Sequence, residues 1–149
     1  MKKLFATGNN AAATIVRIML GLVIFPHGAQ KLLGWYGGFG FTGMMQYFTD
    51  TMHLPWLIGF IVILVEFFGA LFLIAGFATR INSLLMIAVF LGVIFTTNIH
   101  NGFFMNWFGN QKGEGMEFSL LVLGMAASLV VSGGGAASAD RLIVNRLNR

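Results

Sequence analysis

Apolar residues fill four stretches of the chain with few interruptions, roughly 11–33, 55–78, 81–99 and 116–132. Each holds about 17–25 residues, enough for a helix to cross a hydrocarbon layer of ~30 Å. The stretches are apolar on nearly all sides. A membrane barrel would instead need alternating segments of ~10 residues. The pattern therefore predicts an all-α fold: an integral membrane bundle of four transmembrane helices in a single domain over residues 1–149. Between the first two helices, Gly34-Trp35-Tyr36-Gly37-Gly38-Phe39-Gly40 reads as a glycine- and aromatic-rich outer loop. Met44 to Thr51 is expected to form a short helix in the interface. The run Gly133-Gly134-Gly135 stops the fourth helix. Ser138 or Asp140 then starts a short basic segment ending at Arg149, expected to rest on anionic headgroups.

Composition agrees with this reading. Hydrophobic residues make up 57% of the chain and charged residues 9%, whereas a soluble domain carries about 25% charged residues. So few charges cannot cover the surface of a soluble core. The formal charge of +4 rests on nine basic and five acidic residues, too thin a distribution for a phosphate-tracking surface, so no nucleic-acid partner is expected. There is no cysteine. Disulfides, thiolate zinc sites and iron–sulfur clusters are thereby excluded, and any redox chemistry needs a bound cofactor or a partner. Lys2 and Lys3 resemble the start of a signal peptide, but the apolar run begins late and is too long, so an uncleaved first helix is expected.

Basic residues set the orientation. With four crossings both termini share a side, and Lys2, Lys3, Arg80, Arg141, Arg146 and Arg149 fall there against Lys31 and Lys112 opposite. The expectation is a bacterial inner-membrane protein with both termini cytoplasmic. Trp35, Tyr36, Tyr47, Trp56 and Trp107 are every Trp and Tyr in the chain, and all fall at the outer face. They read as an interfacial belt or as an outer surface for an apolar ligand or partner.

Charged groups at membrane depth cost about 2.5–3.5 kcal/mol each on insertion scales, so those present should face the bundle and find partners. Arg17, His27 and Lys31 share one sector of the first helix with Gly21 and Gly28. Pro26 frees the carbonyl of Leu22 beside His27. Glu66 sits about halfway along the second helix, where a bare carboxylate is poorly tolerated. Arg17, about 8 Å nearer the cytoplasm on straight helices, is the expected partner, with His27 as its competitor. His100 and Glu117 complete an outer set. The histidines lie too near the outer edge, and without a second pair, to suggest axial haem ligation. No metal site is expected, because no His-x-x-x-His pair occurs.

The ordered set Arg17-x-x-x-Gly21, Phe25-Pro26-His27-Gly28-x-x-Lys31, Glu66-x-x-Gly69, Gly76-x-x-Thr79-Arg80, His100, Glu117 and Gly133-Gly134-Gly135-x-x-Ser138-x-Asp140 resembles the DoxX family of small four-helix membrane proteins. The resemblance implies an oxidoreductase-associated membrane protein, with quinone as the acceptor in some relatives. No motif forms a self-sufficient catalytic centre, and no intrinsic cofactor is expected. The leading expectation is a subunit binding a quinone or a similar apolar, carbonyl-bearing molecule through Arg17, His27, Lys31, Glu66, His100 and Glu117. Arg80 and Pro26 would serve structure and topology. A redox partner subunit would supply electrons, lipid would surround the bundle, and the apolar faces permit a homo-oligomer. The alternatives are a proton-coupled transporter or channel, and a non-catalytic assembly subunit of a membrane complex.

Overall fold

The computed structural model describes residues 5–147. Lys2, Lys3 and Arg149, used in the charge-asymmetry argument, lie outside the described residues. Six helices and no strand occur among those described: α1 (Ala11–Leu33), α2 (Gly40–Gln46), α3 (Trp56–Ala75), α4 (Thr79–Thr96), α5 (Glu117–Ser132) and α6 (Ala139–Leu147). α1, α3 and α4 are long and apolar enough to cross a membrane, while α5 is a shorter apolar helix of 16 residues.

Local signals fix most helix ends. The Asn10 side chain accepts the backbone N–H of Ala12 at 2.9 Å and so caps the start of α1. α1 then runs through Pro26 and stops at Gly34, which has a left-handed φ of 73°. α2 extends through a π-turn at Tyr47–Thr51, so the expected interfacial helix begins four residues early. α3 ends at Ala75, three residues short of the expected boundary, because Gly76 turns left-handed with φ 69°. α4 correspondingly starts two residues early, at Thr79.

The four principal helices enclose one apolar core in which Leu20 and Ile24 of α1, Leu73 of α3, Met86 of α4, and Val122, Ala126 and Leu129 of α5 are buried. α1 and α3 cross at backbone contact. A Cβ added to Gly28 would lie 2.5 Å from the Glu66 carbonyl carbon and 2.5 Å from the Phe67 nitrogen. Only glycine permits that approach. A second cluster of Met45, Phe48 and Ile63 seats α2 on α3.

The end carrying both termini is tied together by polar side chains bonded to backbone. Arg17 donates to the carbonyls of Leu73 (2.6 Å) and Ile74 (2.5 Å) in the last turn of α3, and to those of Gly134 (2.9 Å) and Ala137 (2.6 Å) in the loop after α5. Arg80 donates to the Val130 and Val131 carbonyls, in the last turn of α5, and to Ala6. Helix C-termini leave carbonyls unpaired and carry a partial negative charge, so both guanidiniums satisfy acceptors and dipoles together.

Asp140, 1% exposed, performs the opposite task. It accepts the N–H groups of Ala78 (2.6 Å) and Thr79 (2.9 Å) and so caps the start of α4, and it lies within electrostatic reach of Arg17. The segment expected only to rest on headgroups is therefore locked into the bundle through its first turn. Arg17→Met should lower stability by about 3 kcal/mol or more, because several buried carbonyls lose their donor. Asp140→Ala should cost about 1–2 kcal/mol as a lost cap. Thermal unfolding in detergent micelles, followed by circular dichroism, measures both.

Candidate functional site

At the opposite end, where the long loops lie, the bundle contains a cavity of about 640 Å³. α1, α3, α4 and α5 form its walls, and Phe48 and Met52 after α2, with Met105 and Gly115 of the α4–α5 loop, also line it. Most of the lining is apolar: Val62, Val89, Phe90, Val93 and Phe118 stand among its walls. His27, Lys31 and Glu66 form one polar group on it, and Asn98, Glu114 and Ser119 form another.

The geometry of Glu66 follows from the helix crossing. Gly28 brings the α1 backbone onto Glu66 itself. Lys31 lies three residues further, on the same face, and helical side chains lean back toward the N-terminus. Its ammonium therefore reaches the carboxylate, and Lys31 Nζ donates to Glu66 Oε2 at 2.5 Å. The Glu66 side chain is 4% exposed and that of Lys31 20%. Glu66 also lies in a π-turn, Val65–Gly69, inserted in α3. Such single-turn insertions frequently mark functional positions in helices.

This pairing corrects the sequence expectation. Arg17 and Glu66 form no pair, because the Arg17 guanidinium is taken up by four backbone carbonyls at the far end of the bundle. Arg17 does not line the cavity. Arg17 and Lys31 share one helical sector, but the C-terminal carbonyls of α3 take the guanidinium.

The other expected residues separate. His27 lines the cavity, is itself exposed, and packs against Phe118 with ring centroids 5.8 Å apart. His100 stands exposed in a 3₁₀ turn beyond α4 and does not line the cavity. Glu117 accepts the Met105 N–H (2.8 Å) and the Trp107 indole N–H (3.0 Å), so it organises the α4–α5 loop. Arg80 sits in the opposite end, as described above. Pro26 lies in α1 one residue before His27.

Sequence reasoning missed the second polar group. Ser119 donates to Asn98 Oδ1 at 2.7 Å, and Asn98 Nδ2 donates to the Glu114 carbonyl at 2.9 Å. An asparagine closing the third apolar run and a serine two residues after Glu117 were the available signals. Among the described residues, no group of three or more His, Asp or Glu side chains gathers as a metal site would require.

Long apolar helices, a buried ion pair and a cavity within the bundle define an all-helical membrane protein with an internal polar site. The family model described as DoxX matches residues 12–99, more than half of the chain. The chain belongs to the DoxX family. The matched region contains Arg17, His27, Lys31, Glu66 and Arg80. A protein named "Putative oxidoreductase CatD" from Bacillus subtilis (strain 168) is 26% identical over 133 residues, covering 89% of this chain and 84% of that protein. No solved structure matches the chain.

The ion pair makes a specific energetic prediction. Lys31→Met should destabilise by about 3–5 kcal/mol, because it strands a buried carboxylate. Adding Glu66→Leu to that variant should recover most of the loss, since the uncompensated charge is gone. Thermal unfolding of the wild type, both single variants and the double variant closes this cycle.

Proposed function

We propose that this DoxX protein is an oxidoreductase-associated membrane subunit whose cavity takes a quinone or a similar apolar, carbonyl-bearing ring. The observation that carries the reading is the cavity itself: an apolar chamber at membrane depth with His27 and the Lys31–Glu66 pair on one wall. Its volume lies within the range of small-molecule sites, about 300–1,000 Å³. A few convergent polar groups in an apolar pocket orient a ligand by its carbonyls. The name carried by the Bacillus subtilis relative agrees with redox chemistry.

In this reading the Lys31 ammonium and the His27 imidazole donate hydrogen bonds to a carbonyl oxygen. Reduction of a quinone to a quinol takes up two electrons and two protons. The His27 imidazole can pass a proton to the ring oxygen, with Glu66 holding the lysine in place. A redox partner subunit supplies the electrons. The protein crosses the bacterial inner membrane four times, with both termini in the cytoplasm. Arg80, Arg141 and Arg146 at the terminal end, against Lys31 and Lys112 toward the loops, support that orientation. A continuous relay through Arg17, as a proton-coupled transporter would use, has lost its central pair.

Titration of the purified protein in nanodiscs with ubiquinone and menaquinone analogues, read by tryptophan fluorescence, tests the site. Saturable binding is expected for the wild type. His27→Ala should weaken it about tenfold, the loss of one good hydrogen bond. Val93→Trp should abolish it by filling the cavity. Binding that survives both changes intact contradicts the placement.

A further inference from the structure

α3 and α4 are neighbours along only part of their length. They pack together from Val65 to Ala75 and part toward the loop end, where Trp56–Leu64 leaves α4. The cavity occupies that opening. Ile58 and Ile61 of α3 line it and are 46% and 40% exposed, so each faces the cavity and the outside of the bundle at once. Across the gap, Ala88, Gly92 and Thr96 of α4 also line the cavity and are exposed, spaced four apart on one helix face. A Cβ on Gly92 would meet nothing within 4 Å. Toward the loop end, Phe48 is wedged against Gly59, where an added Cβ would lie 2.8 Å from its ring. The chamber is thus open at its side, at the depth of the apolar spans.

We infer that the ligand reaches the cavity sideways from the lipid, through the cleft between α3 and α4, and that it is a membrane-dissolved amphiphile with an apolar tail. This rests on the proposed ring-binding role and adds the route and the class of molecule. The ring and its carbonyl lie against His27 and Lys31. The tail lies between Ile58 and Ile61 on one side and Gly92 on the other, and continues among the acyl chains. A tail left in lipid keeps its hydrophobic contacts, so only the headgroup changes surroundings on binding. A water-soluble metabolite of the same headgroup gains nothing from such a cleft.

The absence of cysteine makes the test clean. Single variants Gly92→Cys, in the cleft, and Gly124→Cys, exposed on α5 with no side-chain neighbour within 4 Å, carry a nitroxide label in liposomes. Collision with dissolved oxygen reports lipid, and collision with a water-soluble nickel chelate reports water. The inference expects oxygen but not chelate at Gly92. It also expects long-tailed ubiquinone to reduce oxygen collisions at Gly92 and not at Gly124, with tailless ubiquinone having no such effect. Chelate reaching Gly92 overturns lateral access. So does long-tailed ubiquinone that binds by fluorescence without changing the Gly92 signal. If neither quinone binds while Gly92 still meets oxygen and not chelate, the quinone reading falls and the lipid-side opening stands.

Discussion

A carboxylate halfway along an apolar helix has to be compensated, and Lys31 does this for Glu66. The pair is possible only because Gly28 lets α1 touch the α3 backbone at Glu66 itself. That contact sets the register of the two helices. Lys31 is thereby aimed inward, and His27, one residue before Gly28, is placed on the same cavity wall. The π-turn of α3 lies at the same level. Helix crossing, charge compensation and the polar wall of the cavity are one constraint. A side chain at position 28 would disturb all three together.

The bundle divides its polar residues between two ends with different tasks. At the terminal end, Arg17, Arg80 and Asp140 bond almost wholly to backbone and close the ends of α3, α5 and α4. At the loop end, His27, Lys31, Glu66, Asn98, Glu114 and Ser119 line a chamber, and the helices part. The capped base lies opposite an open half that holds the cavity. Buried polar groups hold helices in one arrangement when their partners are satisfied. An arrangement with room in it then costs little order elsewhere.

Much of the fold was legible in the sequence because the apolar runs are long and the triple glycine ends the last of them, but Gly76 as the stop of α3 was not. The start of α4 was not legible. Its cap, Asp140, lies more than sixty residues away along the chain. The candidate site was half legible. His27, Lys31 and Glu66 stood out as ionisable groups in apolar helices, and they do come together. The choice of partner failed because a guanidinium has two kinds of acceptor, carboxylates and helix-end carbonyls, and a helical wheel displays only the first. Asn98 and Ser119 carried too little signal: uncharged polar residues at span ends are ordinary interface residues until tertiary contact pairs them. His100 was placed correctly near the end of the third helix, yet the 3₁₀ turn carries it away from the chamber.

The central claim is that Glu66 and Lys31 form an ion pair in the wall of the cavity. Infrared difference spectroscopy between the wild type and Glu66→Gln, in lipid at neutral pH, tests it most directly. Loss of an ionised-carboxylate band, with that band perturbed in the wild type when a quinone analogue is added, is the predicted result. Loss of a protonated-carboxyl band instead, insensitive to the analogue and to Lys31→Met, would contradict the account.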